Sequence, residues 1–171
     1  MRLLHKFSKF TTNKAHLIHI YKSQVRANLE YCSTVWHSGL TESDNKDIER
    51  VQKAAVRIFM GNKYQGYQEA LKFLKLESLK ERRIKMALNF AKRSLKLENF
   101  SKLFPLSESK HLMSKRNTER FVTNISSTER YKRSAVPFLQ RLLNDDYSKQ
   151  RKDLAKLLRV NNGVFYNAPI T

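Results

Sequence analysis

Three places in the chain hold side chains that could do chemistry. Cys32 and His37 stand five apart in LEYCSTVWHSGLT (29–41), a stretch that also holds Trp36, the one tryptophan. His16 and His19 stand three apart, and Asp145 and Asp146 are adjacent in NDDYSK (144–149). A cysteine becomes a nucleophile when a base, a cation or a helix N-terminus lowers its pKa. Cys32 falls instead near the C-terminal end of a predicted helix, where the dipole disfavours a thiolate. His37 would lie roughly 140° around that helix from it. We therefore read Cys32 as a buried thiol packing as a small hydrophobe, and the stretch as a corner between two helices. His16 and His19 have suitable spacing to share a metal, but zinc needs three or four ligands, and Cys32 could join them only across a bundle. They read as helix-surface histidines. Paired aspartates bind magnesium in polymerases, where they sit on a tight turn between strands. Here they follow a helical Leu-Leu-Asn and precede a basic helix, so they read as a polar turn whose acids favour the next helix N-terminus. The chain has no Gly-rich phosphate loop, Ser nucleophile elbow or HExxH pattern. The expectation is no catalytic residue, no metal site and no cofactor.

What must position these groups is read from composition and periodicity. The chain has 171 residues and is 40% apolar, with ten Phe and seven Tyr, enough for one domain with a packed core. Gly and Pro number only four and three, which favours long helices over a turn-rich β fold. AHLIHIYKSQVRANLEYCSTVW (15–36) predicts a long helix with Ile18, Tyr21, Val25, Leu29, Cys32 and Trp36 on one face. Thr41 and Asp44 predict a near capping box opening a second helix that runs to about Met60. Its stripe is Ile48, Val51, Ala55 and Ile58, and Gly61 closes it. Residues 67–76 predict a short third helix with Ala70, Leu71 and Leu74 inward. SLKERRIKMALNFAKRSLK (78–96) is a fourth, opened by a Ser78–Glu81 capping box. Leu79, Ile84, Met86, Ala87, Leu88, Phe90, Ala91 and Leu95 fill one side of it; Arg82, Lys85, Asn89, Lys92, Arg93 and Lys96 fill the other without one acid. Arg83 alone falls on the apolar side, which calls for a carboxylate partner. Residues 97–134 lose periodicity, with strand-like composition at FVTNI (121–125). Residues 134–144 and 148–160 predict two further helices, the first with Phe138, Leu139, Leu142 and Leu143 as its apolar set and the second stopped by Asn161, Asn162 and Gly163. The expected fold is mostly α. A basic lead (1–14) precedes a helical bundle core (15–96), then a basic loop region with two helices packed on that core (97–160), and a tail (161–171).

Charge is the strongest functional signal. Thirty-four Lys and Arg against fifteen Asp and Glu give +19. The first twenty-nine residues carry six cations and no acid. Like charges repel and a fold gains nothing from such an excess; a polyanion does, and nucleic acid is the commonest. An anionic membrane surface ranks second. No apolar run approaches the roughly 18 residues of a membrane span. The N-terminus lacks the apolar core and cleavage site of a secretory signal. A lone cysteine fits a reducing, intracellular setting, nuclear or cytoplasmic. The expected contacts are to phosphates, through Arg82, Lys85, Lys92, Arg93 and Lys96 on the fourth helix, extended by Arg116, Arg120, Arg130, Lys132 and Arg133. Phe121 and Tyr131 are interleaved with them and suited to stacking on unpaired bases.

The residues also resemble a family. IYKS, LEYCSTVWHSGLT, IERVQK, YQEAL, LESLKERR, FAKRSLK with LFP, and TERYKRSAVPFLQRLLN are similar, in that order over about residues 1–145, to the C-terminal region of polymerases of jockey-type non-LTR retrotransposons. The departures are Ala27-Asn28, where the family often has Pro, and Ala54, where a basic residue is common. The resemblance implies a helical, thumb-like region downstream of the polymerase palm. Such a region would hold template RNA and target DNA during target-primed reverse transcription. It would carry no chemistry, because the family's magnesium-binding aspartates and its endonuclease lie upstream. The missing polymerase portion is then a second expected partner. Met1 would begin inside a longer reading frame, which adds a decayed element copy as an alternative. The other alternative is a helical interaction module whose basic face meets an acidic protein.

Overall fold

The computed structural model describes residues 2–11, 13–106, 121–123 and 126–163. The chain is mostly α-helical, as expected, and forms two compact units, residues 1–89 and 90–171.

In the first unit, the segment read as a basic lead is a helix, α1 (Arg2–Phe10), which buries Leu4. Asn13 caps α2 (Lys14–Ile20) by accepting from the Ala15 amide at 2.9 Å. The helical path continues through a π-helical stretch, Tyr21–Arg26, into α3 (Ala27–Glu30). The predicted long helix ends there. Cys32 takes a left-handed backbone (φ 50°, ψ 26°), and a single turn, α4 (Ser33–Trp36), follows with a 3-10 turn over His37–Gly39. The expected stripe holds through Leu29 and then fails. Cys32 is exposed rather than buried, and Ser33 takes the inner position. Reversing the chain at residue 32 swings its side chain off the face that periodicity assigned to it.

The Thr41–Asp44 capping box forms in full and opens α5 (Glu42–Met60). Gly61 ends it at φ 53° and ψ −129°, a conformation open only to glycine. The buried face of α5 is Gln52, Ala55, Val56 and Phe59, while Ile48, Val51 and Ile58 are half-buried. α6 (Tyr67–Leu74) buries Ala70 and Leu71 and stops at left-handed Lys75. These helices share one core of Leu4, Leu17, Tyr21, Ala55, Val56, Phe59, Ala70, Leu71 and Leu76. The Tyr21 and Phe59 rings meet edge to face, with centroids 5.8 Å apart.

A polar chain runs beside that core. The Tyr21 hydroxyl donates to Gln52 Oε1 at 2.7 Å. Gln52 Nε2 donates to the Tyr67 hydroxyl at 3.0 Å and to the Glu77 carbonyl at 2.9 Å. Tyr67 donates in turn to Glu49, whose carboxylate also accepts from the Leu79 amide at 3.1 Å. Leu79 is the first residue of α7 (Leu79–Ser94), so a carboxylate from α5 sits on the positive end of α7. Ser78 supplies one half of the expected capping box, accepting from the Glu81 amide at 3.3 Å, with no return bond to the Glu81 side chain among the described residues.

The second unit begins within α7. After α8 (Glu98–Ser101), Phe104 is buried. Leu106 and Phe121 make one antiparallel bridge, with no strand among the described residues. The strand-like FVTNI therefore contributes that bridge alone; Asn124 and Ile125 lie outside the described residues. Thr128 caps α9 (Glu129–Lys132). The two predicted final helices are one, α10 (Ala135–Gly163). Asp145 and Asp146 lie inside it, not in a turn, and no helix breaker separates Leu143 from Ser148. α10 buries Leu139, Gln140, Leu143 and Asn144. Asn144 holds the bridge segment from both sides, accepting from the Phe121 amide at 2.9 Å and donating to its carbonyl at 2.9 Å.

Candidate nucleic-acid interface

The expected cations of α7 do not share one environment. Arg82 Nε lies 2.9 Å from the carboxylate of Glu30, which is 7% exposed, and Arg26 approaches that carboxylate at 3.9 Å. Arg82 is thus anchored between α7 and α3 and is only partly available to a ligand. Lys85 pairs with Glu77 in solvent. That hydrogen bond holds the Glu77 carboxyl below the usual carboxylate range. An exposed pair of this kind is weak and screened by salt. In the second unit Lys92 pairs with Asp146 of α10 at 2.8 Å. Arg93 and Lys96 are exposed, with no ion pair among the described residues. Arg130 and Arg133 are exposed beside Lys132, which pairs with Glu129 at 3.2 Å. The Lys132 carbonyl accepts from Arg141 at 2.6 Å. Arg116 and Arg120 lie outside the described residues.

Arg83 corrects another expectation. It is fully buried and, among the described residues, forms no ion pair, with Nη1 left without a hydrogen-bond partner. Its Nε donates to His37 Nδ1 at 3.3 Å, its Nη2 donates to Asn45 Oδ1 at 2.8 Å, and the guanidinium lies 5.7 Å from the Trp36 ring. Asn45 is oriented by donating to the Thr41 carbonyl at 2.9 Å. The guanidinium is held by neutral acceptors and a π face, while the charges of Glu49 and Glu30 act from further away. Burial lowers its pKa, opposed by those two carboxylates. Burial first, then the charges of Arg83 and Lys80, push His37 down to about 4, so it is neutral and can accept. The Cys–His pair in the sequence is therefore divided. His37 faces Arg83, and Cys32 faces solvent at a helix reversal.

Sequence reasoning missed the basic face of α1. Arg2, Lys6 and Lys9 are exposed at i, i+4 and i+7 on one side of that helix. Leu3, Phe7 and Phe10 are exposed on the adjoining side, Phe10 at 87%. The signal was present as helical spacing in an acid-free segment. Further cations lie over aromatic rings: Lys53 is 5.2 Å from Tyr67, and Arg57 is 5.5 Å from Tyr64. Such contacts fix a cation at the surface without neutralising it.

Comparison with family models, curated proteins and solved structures finds no match. Function therefore has to be argued from the residues. Among the described residues, no three His, Cys, Asp or Glu side chains come together to hold a metal ion, and no helix is long and apolar enough to cross a membrane. Phe121, expected beside the cations as a stacking ring, is buried, while Tyr131 is exposed; what the surface offers chemically is positive charge, in places over aromatic rings.

Proposed function

We propose that the chain is a non-catalytic nucleic-acid-binding module, comparable to the post-palm C-terminal region of a jockey-type non-LTR retrotransposon polymerase. In that setting it would hold template RNA and target DNA through their phosphates. The observation that carries the reading is the charge excess of +19, exposed in part on an acid-free helix through Arg2, Lys6 and Lys9. Arg93, Lys96, Arg130 and Arg133 add exposed cations in the second unit. Each phosphate contact releases condensed counterions, so affinity falls steeply as salt rises. Base-specific readout along a duplex groove is not part of this reading.

A gel-shift titration tests this with single-stranded RNA, duplex DNA and heparin at low and moderate salt. The expected result is binding to all three with a steep salt slope, and weaker binding when Arg93 and Lys96 become Gln or when Arg2, Lys6 and Lys9 do. A folded sample that binds none of the three ends the proposal. The exposed Leu3, Phe7 and Phe10 stripe favours a second reading, a docking face for an acidic protein. That reading gains if the chain ignores nucleic acid yet α1 substitutions abolish capture of a peptide bearing acidic and apolar residues.

A further inference from the structure

Where α5 ends, the first unit carries a concavity of about 660 Å³. It lies between the Gly61–Lys63 turn and α6, and this volume is in the range of small-molecule sites. Its apolar wall is Met60, Ala70 and Phe73. Phe73 is 66% exposed, on a helix whose Ala70 and Leu71 are buried. The Lys14 ammonium lies 6.0 Å from its centroid, a contact that leaves most of the ring open. The polar wall is Asn62, Gln65, Lys63 and Glu69.

We propose that this concavity takes one unpaired nucleobase of a single-stranded nucleic acid, with Phe73 as the stacking platform. The inference rests on the nucleic-acid-binding reading above and gives it a place and a strand preference. A flat ring at the edge of an apolar wall suits any base, because every base has a π face. The side-chain amides of Asn62 and Gln65 can each donate and accept, which suits the edges of a base that has lost its Watson–Crick partner. Glu69 accepts only, so on the polar wall it fits an exocyclic amine and repels a phosphate. The phosphates of the same nucleotide then belong beside Lys63 of the polar wall and Lys14, whose ammonium lies over the Phe73 ring. A duplex has its bases stacked and paired and cannot offer one without unstacking, so duplex DNA gains nothing here.

The test is fluorescence anisotropy with a short mixed-sequence single-stranded RNA, the duplex of the same sequence, and heparin. The proteins are the full chain, F73L, F73W and the R93Q/K96Q variant. F73L keeps apolar bulk and removes the flat face. At an exposed position it leaves the fold intact, which circular dichroism checks. Losing one base–aromatic stack is expected to weaken single-strand binding about tenfold. Duplex and heparin affinities stay unchanged, and F73W restores the loss. The proposal is overturned if F73L binds the single strand as the parent does, or if it weakens all three ligands alike. If R93Q/K96Q loses affinity while F73L does not, the nucleic-acid reading stands and the pocket falls. If the parent chain binds no ligand, both fall together.

Discussion

A left-handed backbone costs most side chains about 1–2 kcal/mol and costs β-branched ones more. Cys32 sits there, exposed, with its carbonyl accepting from the Val35 amide at 3.0 Å and the preceding Tyr31 carbonyl accepting from Trp36 Nε1 at 2.7 Å. A core position would accept Val and reject Asn. This position should do the reverse. Cys32→Asn is expected to be neutral in a urea melt, and Cys32→Val to lose about 1–2 kcal/mol. A stable Val variant beside a damaged Asn variant would return Cys32 to the apolar face. No glycine marks the reversal, which is why periodicity ran through it. The second residue-scale expectation concerns His37. Its ring is neutral in the fold because burial and the charges of Arg83 and Lys80 hold its pKa at about 4, against an ordinary 6.5. Between those values the unfolded chain binds a proton that the folded chain refuses, so stability rises with pH and drains away as pH falls from 6.5 towards 4. The contribution is about 3 kcal/mol at neutral pH. His37→Asn keeps an acceptor for Arg83 and cannot titrate. Urea midpoints at neutral pH and at about pH 4.5 should therefore differ less in that variant than in the parent. An equal difference would mean that carboxylates such as Glu42 and Asp44, also held below their ordinary range, carry the acid sensitivity.

Caps and breakers decide how much of an element can be read in advance. Thr41 with Asp44 marked the start of α5, Gly61 its end, and Ser78 the start of α7, and each lies where its chemistry put it. The partner of Arg83 was not legible, because His37 and Asn45 approach it only when α5 and the 3-10 turn fold against α7. The same is true of Gln52, a polar residue in the buried stripe of α5 whose partners Tyr21, Tyr67 and Glu77 come from distant segments. At α10 the error ran the other way. Asn144, Asp145 and Asp146 have the composition of a turn, but the helix passes through them. Asn144 is committed to Phe121, and Asp146 pairs with Lys92 and accepts from Gln150 at 2.7 Å. Tertiary partners at Asn144 and Asp146 outweigh a small loss of helix propensity. Asp145 is exposed, so replacing it isolates the backbone. Asp145→Pro should cost about 3 kcal/mol or more and lower the helical circular dichroism signal, whereas Asp145→Ala should do neither. A Pro variant melting with the parent would reinstate two helices joined by a turn.

Over the whole molecule, composition announced the charge but could not say which cations stay free. Glu30 takes Arg82 from fifty-two residues away, and Asp146 takes Lys92 from fifty-four, pairings that no local pattern records. What is left exposed is still strongly positive, and salt should act on it in two opposed ways. Screening relieves self-repulsion between charges more than roughly 10 Å apart at 0.1 M salt, so the melting midpoint of the free protein should rise between ~50 and ~300 mM NaCl. A polyanion that binds the folded chain should raise the midpoint as well, by linkage, but that increment should shrink over the same salt range because counterion release is the driving force. Thermal melts with and without heparin separate the two effects. A midpoint that falls with salt in the free protein would mean that pairs such as Arg82–Glu30 outweigh the repulsion. A heparin increment indifferent to salt would mean that the contact is apolar, which would move the weight of the argument from the cations of α1 to its Leu3, Phe7 and Phe10 face.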